Sequence, residues 1–384
     1  MNASAEKPLA LEILLSENER AREVYAEVRD LEQTNQLERL KRELGISHEH
    51  DDLVHFCGSS FLPGGDLHQE TGFELICFEP LCELELDEEV EAPPKCFDVL
   101  IVNEAEKSIV AVECKISHTH ELHGFEGFVR DTWRKADDLV HWMEYLSSRL
   151  GFEIEHHEIV LCARGGQEQR AAESLQRLES QYGAGTRPPH IVKLWYCGLH
   201  HRGRLQLNST MARIDRSWNR HRNAELNRKL AVDGHVLGTS EIGTRLFFKS
   251  PTVWLASEFV GHLVESWAEA EEIVDQGGVA YGTFSLTSIE EFLKANLNHY
   301  DAPKLAVTLA ERVLSAMIDC DLVETVTNGT YVFQAKMKRP KTAIKAVRDA
   351  MLERRAEYAA EQKAAQEVLR RFGEDRLPLF EDLA

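Results

Sequence analysis

Two apolar runs, FDVLIV at residues 97–102 and SIVAVECK at residues 108–115, constrain this chain more than any other feature in it. Both are rich in β-branched side chains and read as neighbouring strands. If the segment between them closes as a hairpin with Asn103 opposite Ser108, paired residue numbers sum to 211 and Asp98 lies across from Glu113. Opposed Cβ atoms stand about 4.5–5.5 Å apart. Side chains alternate along a strand, so Glu113 and Lys115 point one way and Val112 and Cys114 the other. Two carboxylates that close repel unless a cation lies between them, and oxygen ligands suit a hard divalent ion such as Mg2+. A lysine beside them can orient or deprotonate a water, or neutralise charge developing on a phosphate. The arrangement predicts metal-dependent cleavage of a phosphodiester.

An acid on one strand followed by E-x-K on the next resembles the signature of the PD-(D/E)xK nuclease superfamily, with Asp98 as the first acid and Glu113 and Lys115 as the E-x-K. The resemblance covers about residues 65–205. The leading proline is absent: Cys96 and Phe97 precede Asp98, with Pro93 and Pro94 upstream. The competing reading is an ordinary amphipathic hairpin carrying a surface salt bridge. The resemblance implies an α/β fold, a restriction-endonuclease-like mixed sheet flanked by helices. It implies Mg2+, with Mn2+ able to substitute, held by Asp98, Glu113 and the backbone carbonyl of Cys114. Lys115 would position water or stabilise the phosphorane. Family members often add a carboxylate from a helix ahead of the sheet, for which Glu74 is the candidate. Glu70 would share its face if this segment is helical. The segment reads equally as a strand, and Glu74 equally as a solvent-facing glutamate.

The residues after the triplet follow the same order of elements. Phe125, Val129, Trp133, Ala136, Val140 and Met143 have the spacing of an amphipathic helix over residues 124–149. Residues 153–163 read as a strand, 167–181 as a helix and 190–198 as another strand. Arg130 and Arg134 lie on the polar face of the first helix, placed for phosphate contact or for salt bridges to Glu126, Asp137 or Asp138. His118, His120 and His123 fall in a loop. No C-x2-C pair accompanies them, so a solvated connector is expected rather than a zinc site.

The chain has 384 residues, a formal charge of −21 and eight scattered cysteines. Length allows two domains, and cysteines without framework spacing imply reduced thiols and a cytoplasmic location. No 18-residue apolar run or leader-like N-terminus is present, so neither a membrane span nor secretion is expected. The acidic balance argues against indiscriminate nucleic-acid binding, but residues 202–229 and 336–355 each carry a net +6. These stretches nominate Arg216, Arg220, Lys338 and Arg339 as nucleic-acid contacts, with Trp218 available for stacking.

Helical patterns at 251–274, 288–297 (capped by Ser288) and 302–319 (capped by Asp301) precede two strand-like runs joined at Asn328-Gly329. That order resembles a winged helix, a module that binds DNA or mediates protein contacts. Ser16 and Glu19 form a capping-box pattern ahead of a helix to about residue 44, which packs on the core or supports a homodimer. A helix at 341–372 is expected to stop at Gly373. Arg376-Leu377-Pro378-Leu379-Phe380 is similar to the bacterial sliding-clamp-binding motif, whose first residue is glutamine; an apolar tail docking on its own chain is the alternative. The expected division is 1–50, 51–205, 206–250, 251–340 and 341–384. The expected function is an Mg2+-dependent nuclease acting on DNA, in restriction or anti-phage defence by analogy of architecture. The alternatives are a non-catalytic DNA-binding or assembly protein and an RNase of the same fold.

Overall fold

The computed structural model describes residues 9–79, 97–116, 123–141, 143–181, 190–199, 205–209, 219–236, 246–269, 274–276, 279–298, 302–327, 330–335 and 340–372. They form a mixed α/β protein of two compact units. One comprises residues 48–248 and 296–302, the other 1–47, 249–295 and 303–384. Several expected features lie outside the described residues: His118, His120, Arg216, Trp218, Asp301, the Asn328-Gly329 turn, Lys338, Arg339, Gly373 and the 376–380 pentapeptide. No described helix is long and apolar enough to cross a membrane.

The chain opens with α1 (Leu9–Glu17) and α2 (Glu19–Ser59). The expected capping box is replaced by Asn18, whose Oδ1 accepts the Ala21 N–H at 3.1 Å, while the Ser16 hydroxyl donates to the Ile13 carbonyl. Rather than ending near residue 44, α2 continues to Ser59. Tertiary burial explains the extension: Leu53, Val54, Phe56 and Cys57 pack into a core, which outweighs the roughly 1 kcal/mol that Gly45 costs in a helix.

The 48–248 unit is built on a sheet. Its elements are α3 (Asp66–Thr71), β1 (Glu74–Phe78), β2 (Val99–Asn103), β3 (Ser108–Lys115), α4 (His123–His141), α5 (Met143–Leu150), β4 (His156–Arg164), α6 (Glu168–Gln181), β5 (Val192–Leu199), β6 (Leu205–Asn208), α7 (Ala224–Arg228), a π-helical turn (Lys229–Asp233) and β7 (His235–Val236). The seven strands lie in sequence order. β1, β2 and β3 are antiparallel, β3–β4 and β4–β5 parallel, and β5, β6 and β7 antiparallel again. β3 is central and covered on both faces, which is why it reads as an unbroken apolar run. Val129, Trp133, Ala136 and Leu139 of α4, with Ala171 and Leu175 of α6, cover one face. Leu53 and Cys57 of α2, Leu67 of α3 and Leu226 of α7 cover the other. Leu139 takes the buried position expected of Val140, which is exposed.

The segment after β6, expected as a basic connector, instead adds a strand to the sheet and returns a polar network to β4. Trp195 Nε1–H donates to His221 Nε2 at 2.7 Å, leaving the His221 Nδ1–H for Glu158, whose other oxygen receives Lys193 Nζ at 2.6 Å and the Arg222 N–H at 2.7 Å. Burial would raise the Glu158 pKa, but the His221 and Lys193 contacts overcome it and hold it at about 2. A depressed carboxylate stabilises the fold above its unfolded pKa and loses that contribution as pH falls through the folded value. Glu158→Gln is therefore expected to cost about 2 kcal/mol in chemical denaturation at pH 7, with the gap closing between pH 4.5 and 2. A gap that stays constant over that interval would show that the Glu158 charge is not what matters.

The other unit contains α1, residues 19–47 of α2, and α8 (Thr252–Glu269), β8 (Val274–Gln276), β9 (Val279–Ser285), α9 (Leu286–Asn296) up to residue 295, α10 (Ala302–Asp319) from residue 303, β10 (Val323–Thr327), β11 (Thr330–Ala335) and α11 (Pro340–Phe372). Leu11, Leu14, Ala21 and Val24 pack with Ala364 and Val368 of α11. The helix expected over 251–274 stops at Glu269, and two strands follow. β9 pairs with β11, making an antiparallel sheet in the order β10-β11-β9-β8. Ser285 caps α9, exchanging bonds with Ser288, so the cap lies three residues before the expected one.

Candidate active site

The site forms where β2 begins and β3 ends. The β2–β3 ladder pairs Asn103 with Ser108 and Val99 with Val112, the expected register. Asp98 N–H donates to the Val112 carbonyl at 3.0 Å, so Asp98 lies one residue out of that register, opposite Val112 and beside Glu113 rather than directly across from it as expected. Leu100, Val102, Ile109 and Ala111 line the face under α4, and alternation along β3 assigns Glu113 and Lys115 to that same face; Phe97 packs there too while Val99 packs under α2, so the alternation of β2 breaks at Asp98.

Glu113 is fully buried and bound by two ammonium groups. Lys135 Nζ, from α4, lies 2.6 Å from each carboxylate oxygen, and Lys115 Nζ contacts Oε1. Asp98 is also buried. Its Oδ2 accepts the Cys114 N–H at 2.8 Å and lies 3.5 Å from His50 Nε2 on α2. The same nitrogen is 3.0 Å from the Cys114 carbonyl oxygen, and His50 Nδ1 is 3.6 Å from Asp51. His50 thus sits between two of the expected metal ligands.

The electrostatics follow from this packing. Burial raises the Glu113 pKa, Asp98 raises it further, and Lys115 and Lys135 pull it back. Burial acts against the charge on Asp98, but His50 and the two lysines keep it ionised, well below the usual carboxylate range. Burial also acts against protonation of His50, yet Asp98 and Asp51 raise its pKa to about 10. For Lys115, Glu113 and Asp98 outweigh desolvation and raise the pKa. Lys115 is therefore a fixed positive charge at neutral pH, suited to stabilising an anion rather than abstracting a proton.

The group offers oxygen donors of the type hard divalent cations take, while among the described residues three ligating side chains come within 4.8 Å of one another only at Cys57, Cys114 and Cys162. The oxygen donors are two carboxylates and one backbone carbonyl, with an imidazole nitrogen where a positive charge already bridges two of them. Two contributors escaped the sequence reading. Lys135 falls between Thr132 and Leu139 on the buried side of α4, where a lysine requires a partner, and that was the available signal. His50 lies beyond the expected end of α2, so nothing pointed to it.

The remaining candidates lie elsewhere or on the surface. Glu74 opens β1 opposite Val102, at the far end of the strand from Asp98, with His68 3.8 Å away. Arg130 and Arg134 are exposed on α4, and Arg130 donates to Gln181 at 3.3 Å. Two acids expected to pair with them bind other groups: Glu126 binds Arg177 and Asp137 binds His190. Arg220 is exposed, whereas Arg228 and Lys229 are paired with Glu70. His123 opens α4.

Comparison with known proteins adds no family: no family model, curated protein or solved structure matches the chain.

Proposed function

We propose that this protein is a divalent-metal-dependent nuclease that hydrolyses DNA phosphodiester bonds. The observation that carries the reading is the convergence of buried Asp98 and Glu113 with Lys115, Lys135 and His50 at the end of β3. The order β2–β3 hairpin, α4, β4, α6, β5 supports a restriction-endonuclease-like core. The succession α8, α9, α10 and the β10–β11 pair supports a winged-helix-like module in the other unit.

Asp98, Glu113 and the Cys114 carbonyl would hold Mg2+ or Mn2+, with His50 offering a nitrogen ligand once deprotonated. A bound ion would supply Lewis acidity toward a phosphate oxygen and ease deprotonation of water. Lys135 fixes the rotamer and charge of Glu113. The Cys114 N–H does the same for Asp98. Lys115 stabilises negative charge building on the phosphate. Arg130, Arg134 and Arg220 are exposed candidates for backbone phosphates.

The test is cleavage of plasmid, linear duplex, single-stranded DNA and RNA with Mg2+, with Mn2+ and with chelator. DNA is expected to be cut only with metal, and Lys115→Ala is expected to slow the reaction about 100-fold while lowering stability less than loss of the more deeply buried Lys135 does. One observation favours a rival: the buried charges already balance one another, as a non-catalytic nucleic-acid-binding protein would require. Salt-sensitive binding without turnover in every arm would establish that rival, and cleavage confined to RNA would change the substrate.

A further inference from the structure

The face of the sheet opposite Glu113 carries a second cluster that the nuclease reading does not use. Cys57 of α2, Cys114 of β3 and Cys162 of β4 bring their sulfurs within 4.8 Å of one another, and all three are buried. Cys114 and Cys162 are directly paired across the parallel β3–β4 ladder, and Cys57 comes down on them from the helix. The three residues are far apart in sequence, with no paired-cysteine motif, so only the fold reveals them. Three of the six described cysteines meet at one point, each from a different element.

We propose that Cys57, Cys114 and Cys162 form a binding site for one thiophilic d10 metal ion, Zn2+ or Cu+. Three sulfurs around an ion at the usual distance of roughly 2.3 Å are about 3.8–4.0 Å apart, so shifts of less than about 1 Å would close the present triangle. Thiolate sulfur selects such soft ions over Mg2+ or Mn2+, so the site is chemically separate from the Asp98 and Glu113 carboxylates. The surroundings agree. The three thiols lie in an apolar core with Val112, Val160 and Trp195. A buried anion there is costly without a compensating cation, and metal loading would exchange thiol protons for one. Zn2+ leaves the smaller net charge on three thiolates. Cu+ better tolerates three ligands.

The site does not depend on the nuclease assignment. It does share a residue with it, because Cys114 turns its thiol to this cluster and its carbonyl to His50.

The decisive experiment is anaerobic titration of the intact, reduced protein with Zn2+ and, separately, with Cu+, each against a chromophoric chelator. Metal content is read by elemental analysis, and thiol accessibility by alkylation and mass spectrometry under native and denaturing conditions. One equivalent of either ion is expected, with the three thiols protected from alkylation after denaturation while metal is retained and reactive once it is chelated. Cys57→Ser and Cys162→Ser should each lower affinity at least 100-fold. Cys197→Ala, at a neighbouring buried thiol outside the triangle, should leave stoichiometry and affinity unchanged and serves as the folding control. No uptake of either ion by the folded protein would overturn the proposal. So would a mass two hydrogen atoms lighter with two of the three cysteines linked, which would make the cluster a disulfide pair.

Discussion

Asp98→Asn is expected to lower metal-dependent DNA cleavage by about three orders of magnitude, equivalent to losing roughly 4 kcal/mol of transition-state stabilisation. The substitution is nearly isosteric. Its remaining oxygen can still accept the Cys114 N–H, so the β2–β3 junction should hold its shape. What disappears is the negative charge that faces His50 and acts on Glu113. The measurement is single-turnover cleavage with saturating Mn2+ or Mg2+, paired with thermal melting. A variant that melts like the wild type and cuts at the same rate would remove Asp98 from the site. Unfolding of the variant would leave Glu113→Gln, whose carboxamide can also accept from Lys135, as the second test.

Lys135→Met is expected to destabilise the protein by about 3 kcal/mol in chemical denaturation. Removing one partner of a buried ion pair typically costs about 3–5 kcal/mol, and the lower end applies because Lys115 remains on Glu113. The double variant Lys135→Met/Glu113→Gln should recover most of that loss, since the buried charge leaves with its partner. If the single variant costs less than about 1 kcal/mol and the double brings no recovery, the two groups are not a pair in solution. The cycle also tests the division of labour in the site. Lys135 should govern stability, and Lys115, partly open to solvent, should govern rate.

The hairpin at the heart of the site was legible because its evidence is local. Two β-branched runs, five residues apart, admit one register that places polar Asp98 and Glu113 together, and the ladder from Asn103–Ser108 to Val99–Val112 follows it, with a one-residue shift at Asp98 that the pattern did not reveal. α6 and β5 carried the same local signals. His50 and the three-cysteine cluster were not legible, because each depends on how α2 packs against β3, which is a tertiary fact. Propensity ends α2 near its glycine, whereas burial of Leu53, Val54 and Cys57 carries it onward. Lys135 was half-legible: its place on the buried side of α4 was readable, but its partner was not. The π-helical turn and β7 carry no periodic pattern and follow instead from the Asn219–Asn227 segment binding back to the sheet, through Asn219 to Leu194 and His221 to Glu158.

Residues of α2 belong to both compact units, with the division falling at residues 47 and 48, only two positions ahead of His50. A fragment trimmed to the sheet unit alone would begin in mid-helix. Its leading turn would lose the upstream carbonyls that its own amides now use, and new ends of this kind fray. The imidazole would sit in that frayed turn and lose its hold on Asp98. Dissecting the chain at its most obvious seam would therefore blunt the chemistry it was meant to isolate, and kinetic work belongs on the uncut polypeptide.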